Sequence, residues 1–269
     1  MPTRPRSEVW YVLRGVLPVL AIGALIAVLA SGGSDAPSKK PAAAPAWSAW
    51  KPKAYAPLDA AREIANFVAP RYQVDTHARL VNVRAGNLEI SGTPATVAIQ
   101  PRLDQAAPAR AFPHATSVAY RFCGLAADCS ITPGAPSIAR HLLLRREALE
   151  LALYTLRYTA VDQVVVFFPH PNPAQPPQAM FFRRSPLRGE LHRALDATVI
   201  PDAPIPSEMR HSGDSGVING ITLPLLFTYR VVPGTTKPKR NTLTLEPLVL
   251  GTPGGAQPAR PQSPRVQDA

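Results

Sequence analysis

SIARHLLLRREALELALYTLRY (residues 137–158), followed after two intervening residues by VDQVVVFF (161–168), decides the fold. Pro133, Gly134 and Pro136 interrupt the chain just before it, and Ser137 can cap the first turn. From there to residue 158 there is neither Gly nor Pro. At a helical period, Leu142, Leu144, Ala148, Leu149, Leu151, Ala152, Leu153 and Leu156 cover about 200° of arc. That is wider than the stripe of a surface helix, so the helix is expected to sink into a core. Arg146, Glu147, Glu150 and Arg157 fill the opposite sector, which reads as its polar face. The unbroken VVVFF run after it reads as a central strand covered on both faces.

Working outward, LDAAREIANFV (58–68) is a short amphipathic helix ended by Pro70. RLVNVRA (79–85) and NLEISGTPATVAI (87–99) read as strands, with Arg84-Ala85-Gly86-Asn87 supplying the turn. SVAYRFC (117–123) is a further strand. AMFFR (179–183) returns antiparallel after a Pro-rich loop. A second helix is expected from the Ser185-Pro186 start to about Ala197. ITLPLLFTYRVV (221–232), with Pro224 marking an edge or bulge, pairs with a last strand over 242–250. Helices and hairpins mixed without strict alternation predict an α+β fold. Its expected architecture is an antiparallel or mixed sheet with a long buried helix on one face, preceded by one transmembrane helix.

That transmembrane segment is read from the N-terminus. Counted from Trp10 the apolar stretch has 21 residues, interrupted by Arg14; counted from Gly15 it has 16. A spanning helix needs about 20 residues and a signal-peptide core only about 7–15. Arg14 can snorkel to the interface, where Trp10 and Tyr11 also belong. Arg4, Arg6 and Arg14 hold the N-terminus in the cytoplasm. The expected organisation is a cytoplasmic stub (1–9), a signal-anchor helix (10–30), a Pro/Ala-rich linker (31–57), an extracytoplasmic domain (58–250) and a tail (251–269). The alternative is secretion after cleavage at Ala30. A nine-residue stub is too small for a cytoplasmic signalling module.

Composition bounds the rest. The chain carries a net charge of +11 over 269 residues, an excess that reads as a solvated surface, with attraction to anionic surfaces or partners as the alternative. The sequence has two cysteines, Cys123 and Cys129, and in an exported chain these read as one disulfide. Closing so short a loop contributes about 2.4 kcal/mol in the chain-entropy model. The Cys spacing is not that of a thiol oxidoreductase. No metal site and no cofactor motif is expected.

Candidate chemistry lies in three places. His141 and Arg145 are four residues apart on the long helix, so they share one face and can form an anion-binding pocket. Arg183, Arg184 and Arg188, with His192 and Arg193, gather cations where the return strand meets the second helix. Gly213-Asp214-Ser215-Gly216 resembles the nucleophile turn of trypsin-like serine proteases. Val217-Ile218 replaces the Gly and Pro that follow in that family, and none of the chain's His residues has the family's Ala-Ala-His-Cys context. The motif therefore reads as a turn before a strand. The expected function is a membrane-anchored, non-catalytic interaction or accessory domain of a cell-envelope or membrane complex. Its expected partners are a protein in or outside the membrane and the bilayer itself through 10–30. Nucleic acid is not an expected partner. The alternatives are a serine hydrolase using Ser215 and an anionic-ligand binding protein at His141 and Arg145.

Overall fold

The computed structural model describes residues 46–75, 78–101, 108–125, 137–169, 176–235 and 240–248. The expected stub, anchor helix and tail, most of the expected linker, and Cys129 lie outside them. Among the described residues no helix is long and apolar enough to cross a membrane.

The chain enters through helix α1 (Pro57–Val68) and passes to strands β1 (Asn82–Asn87), β2 (Glu89–Ile90) and β3 (Thr93–Ile99). Strands β4 (Arg110–Phe112) and β5 (Ser117–Cys123) follow, then the long helix α2 (Ile138–Tyr158). Next come β6 (Gln163–Phe167), β7 (Gln178–Arg183), the short helix α3 (Arg188–His192), helix α4 (Ser215–Thr222), β8 (Leu226–Val232) and β9 (Asn241–Pro247).

The strands form one mixed sheet in the order β1-β5-β6-β7-β8-β9-β3-β2, with β4 paired to β3. Pairs β5–β6 and β3–β9 are parallel, and the others are antiparallel. The chain runs from β1 at one end of this order through Leu88 into β2 at the other. The Leu88 carbonyl accepts from the Ala95 amide at 2.9 Å. The sheet therefore nearly closes on itself, and mixed α+β is its class.

Strand periodicity divides the core in two. Val164 and Val166 of β6, Val118, Tyr120 and Phe122 of β5, and Met180 and Phe182 of β7 face the helices. The alternate residues Val165, Phe167, Ala119 and Phe181 fill the interior of the curved sheet with Val97, Leu243 and Leu245. The doubly covered strand expected at 161–168 has this pattern, with every residue of β6 buried.

Helix α2 is the axle of the helical layer. The Ser137 hydroxyl accepts from the Arg140 amide at 3.1 Å, closing the first turn. Leu143, Leu149, Leu151, Leu153 and Leu156 are fully buried. The polar face expected at Arg146, Glu147 and Glu150 is not at the surface: all three are buried. Helices α1, α3 and α4 and the turn at Met209–His211 pack around α2, so the sector opposite the sheet is enclosed as well.

Four local expectations differ from the structure. The turn read at 84–87 lies inside β1, and the hairpin reverses at Ser91 and Gly92, with φ of 51° and 72°. Two consecutive left-handed residues make the tight turn that suits antiparallel strands. The helix expected from Ser185 is reduced to α3, with no side-chain cap, and a 3-10 turn at Leu195–Ala197. The Gly213–Gly216 stretch opens helix α4, not a strand. Pro224 sits in a 3-10 turn, Leu223–Leu225, that leads into β8 instead of interrupting it. At the β8–β9 hairpin, a Cβ on Gly234 would run into the Arg240 carbonyl oxygen, so only glycine fits.

Trp47, inside the stretch read as linker, is a core residue. Its indole Nε1 donates to the Glu190 carbonyl at 3.3 Å, and its own carbonyl accepts from the Leu195 amide at 2.8 Å. Its ring meets Tyr154 and Tyr158 edge-on, and Trp50 stacks on Phe67 at 4.1 Å. Both tryptophans therefore pack on the folded domain.

A candidate anion-binding cavity

Strands β6 and β7 are antiparallel, and Gln163 at the start of β6 lies opposite Arg183 at the end of β7. Beside this pair the fold opens a cavity of about 560 Å³. Its cationic wall is Arg110, Arg157, Arg183, Arg184 and Arg188, with the His192 imidazole beside them. Among the described lining residues, Asp162 alone is anionic. Phe112 and Leu191 supply its apolar surface.

Three of the residues singled out from sequence, Arg183, Arg184 and Arg188, thus line one site. They differ in what they are free to do. Arg184 Nη2 donates to the Thr159 carbonyl at 2.9 Å and the Val161 carbonyl at 2.7 Å, and its Nε is 3.7 Å from Asp162 Oδ1. It clasps the C-terminal end of α2, where carbonyls lack helical partners and a cation is favoured. Arg183 lies over the Phe112 ring at 4.9 Å, and Arg110 lies over the same ring at 5.2 Å. Burial, and secondarily the Arg110 charge, pull the Arg183 guanidinium below its ordinary value. Arg188 is exposed at the start of α3, and its carbonyl contacts His192 Nδ1 at 2.6 Å. Arg193 turns to Thr198 and Glu190 instead.

Arg110, Arg157, Phe112 and Gln163 carry no local sequence signal for this site. Arg110 comes from β4, a three-residue strand that sequence periodicity does not show. Only the pairing of β6 with β7 and the placement of β4 bring these residues together.

His141 and Arg145 lie elsewhere. Arg157 lies sixteen positions beyond His141 on the helix, about 24 Å along the axis. Arg145 is buried, with Nη2 donating to Asn219 Oδ1 of α4 at 2.8 Å. Its Nε and Nη1 are buried without hydrogen-bond partners, as is His141 Nε2. The His141 ring meets Phe168 edge-on at 5.7 Å. Burial first, and then the Arg145 charge, hold the imidazole down to about 4, against a weaker opposite pull from a hydrogen bond with Gln178. The two candidate regions are therefore separate sites at opposite ends of α2.

Ser215 opens α4, and its hydroxyl donates to the Arg210 carbonyl at 3.5 Å. Among the described residues that hydroxyl is bonded to no imidazole. The neighbouring Asp214 is buried and accepts from Arg146 Nε, the Ser212 hydroxyl and the Ile200 amide at 2.9, 2.5 and 3.2 Å. Cys123 is disulfide-bonded. Among the described residues no group of three or more His, Cys, Asp or Glu is placed to hold a metal ion.

No protein-family model matches the chain, and no curated protein and no solved structure matches it either.

Proposed function

We propose that this chain is a single-pass, membrane-anchored extracytoplasmic domain that works by binding rather than turnover, as an accessory to a cell-envelope or membrane complex. Its arginine cavity receives an anionic group of the partner. The observation that carries the binding reading is the cavity wall itself: five arginines and a histidine face one carboxylate among the described lining residues. Like charges gathered without counter-charges repel, and an anion relieves that repulsion. Guanidinium forks also match carboxylate and phosphate oxygens two at a time. The anchor reading is supported by the basic flank and apolar run of residues 1–30.

Thermal melting of the full-length protein in millimolar phosphate, sulfate or citrate, against chloride at equal ionic strength, tests the binding reading. A rise in melting temperature that Arg183→Gln abolishes supports it. No shift with any of the three anions removes it. For the anchor, alkaline carbonate extraction should leave the protein in the membrane pellet. Recovery of a soluble chain beginning at Ser31 would replace anchoring by secretion.

A second reading is favoured by Arg145. A buried guanidinium with two unpartnered nitrogens is costly unless something occupies the space beside it. If the melting-temperature rise is abolished by Arg145→Gln and not by Arg183→Gln, the anion site belongs at the other end of α2.

A further inference from the structure

Two features of the arginine cavity specify more than negative charge. The first is the pair of guanidiniums over Phe112. Arg110 and Arg183 stack on one ring, at 5.2 and 4.9 Å from its centre. A planar carboxylate offers its two oxygens to one fork. A phosphate offers three non-bridging oxygens arranged tetrahedrally, so it can accept from two forks that approach from different directions. The two positive charges also match a dianion better than a monoanion.

The second feature is a set of acceptors in a wall of donors. Gln163 is 4% exposed. Its Nε2 donates to the Pro113 carbonyl at 3.2 Å and the Thr116 hydroxyl at 3.3 Å, which fixes which way the amide faces. Its Oε1 is then buried with no hydrogen-bond partner. A buried acceptor left unpaired is costly, and an anion without a hydroxyl, such as sulfate, cannot satisfy it. Asp162, the adjacent residue, has a side chain 62% exposed and only a 3.7 Å contact with Arg184. A ligand that satisfies both walls carries an anion at one end and hydrogen-bond donors at the other.

We infer that the cavity binds a phosphate ester of a polyol. Its phosphate lies against Arg110, Arg183 and Arg188, and its hydroxyls donate to Gln163 and Asp162. This inference rests on the anion-binding reading of the same cavity. The volume of about 560 Å³ accommodates a glycerol phosphate or sugar phosphate unit. The same unit occurs as a free phosphorylated polyol and as the glycerophosphate headgroup of an anionic lipid.

Isothermal titration of the full-length protein in a neutral detergent, with glycerol 1-phosphate, propyl phosphate and inorganic phosphate, tests the inference. Glycerol 1-phosphate is expected to bind at least about tenfold tighter than propyl phosphate, which has the same phosphate and no hydroxyl. Gln163→Met is expected to erase that difference. Arg188→Gln, a change at an exposed residue that carries little folding risk, is expected to weaken both esters about tenfold. Equal affinity for the two esters would overturn the polyol assignment and leave the anion-binding reading standing. Binding of none of the phosphates would overturn both. Because the ester comparison changes the ligand and not the protein, it remains decisive even if Gln163→Met fails to fold. Short-chain phosphatidylglycerol, titrated beside short-chain phosphatidylcholine, identifies the source. Tighter binding of the former than of glycerol 1-phosphate assigns a lipid headgroup, and the reverse order assigns a free phosphorylated polyol.

Discussion

Arg146 Nε donates to Asp214 Oδ2 at 2.9 Å, and the two side chains are 0% and 4% exposed. This ion pair ties α2 to the start of α4. It continues through Arg146 Nη1 to the Tyr72 hydroxyl at 2.8 Å, and from that hydroxyl to Glu150 Oε2 at 2.6 Å. Glu150 also pairs with Arg71. Burial pushes the Tyr72 phenol well above its ordinary range, which keeps it a neutral donor and acceptor within the chain. The network joins the 3-10 turn after α1, the middle of α2 and the Gly213–Gly216 stretch.

Removing Asp214 should therefore destabilise the fold severely. Asp214→Ala leaves the Arg146 charge buried and unpaired, and such losses cost about 3–5 kcal/mol. Ser215→Ala, one residue on, removes only a long hydrogen bond from an incompletely buried hydroxyl and should change stability by less than about 0.5 kcal/mol. Urea unfolding of the two variants checks this. Equal stability of Asp214→Ala and the parent would show that the ion pair does not hold α4.

Glu147 should make stability fall as pH rises. Its carboxyl is fully buried with neither oxygen hydrogen-bonded. Burial lifts it well above the ordinary carboxylate range. Below the unfolded value both states carry the proton and no penalty arises. Above it the unfolded chain ionises while the folded chain keeps its proton, so folding loses about 1.4 kcal/mol per pH unit until the folded value is reached. Glu147→Gln should flatten that slope and stabilise the protein at neutral pH. Parallel slopes for the variant and the parent between pH 5 and pH 7 would contradict the assignment.

His141 acts in the opposite direction and over a lower range. Its folded value of about 4 lies below the unfolded value of 6.5. Above pH 6.5 both states are neutral. As pH falls from 6.5 to about 4, the unfolded chain gains a proton that the folded chain refuses, and stability is lost progressively, on the order of 3 kcal/mol in full. His141→Leu should remove this acid limb, as read from melting temperatures between pH 4 and pH 7. A steeper limb in the variant would mean that the neutral imidazole is not what the fold selects.

Trp47 should hold the entering chain to the domain. Its side chain is 8% exposed and packs on Tyr154, Tyr158 and the Arg157 side of the cavity. Trp47→Ala should cost about 3 kcal/mol and open residues 48–54 to proteolysis. Trypsin cleavage after Lys53, which Ala54 follows, read by intact mass, reports it directly. Unchanged resistance would place the attachment at Trp50 and Phe67 alone.

Much of this architecture is legible in the sequence because it depends on local regularities. The helix at 137–158 is marked by its Ser cap, its leucine arc and the lack of Gly or Pro. Strand β6 is marked by consecutive β-branched residues, and the β8–β9 pairing by two apolar runs across a turn. What sequence periodicity misses is what lies on the far side of an element. Arg146, Glu147 and Glu150 form a polar sector by the helical wheel, yet α1 and α4 cover that sector, and charge pairing makes the covering tolerable for Arg146 and Glu150. The strand boundary at 84–87 misreads Gly86 as a turn residue, because a glycine inside a strand has no local mark that separates it from one in a turn.

The candidate site divides in the same way. The sequence by itself determined the cluster of Arg183, Arg184 and Arg188, since strand and helix spacing keep neighbours in the chain close in space. It also determined the charge, the cysteine pair and the apolar N-terminal run. The tertiary structure alone decided that Arg184 is held by backbone carbonyls while Arg110 and Arg183 share the Phe112 ring. It alone placed an unpaired Gln163 acceptor in the cavity wall and brought that wall to the C-terminal end of α2, away from His141 and Arg145. Those facts depend on strand order and on pairings between residues tens of positions apart, and no short-range pattern encodes which distant strand will be the neighbour.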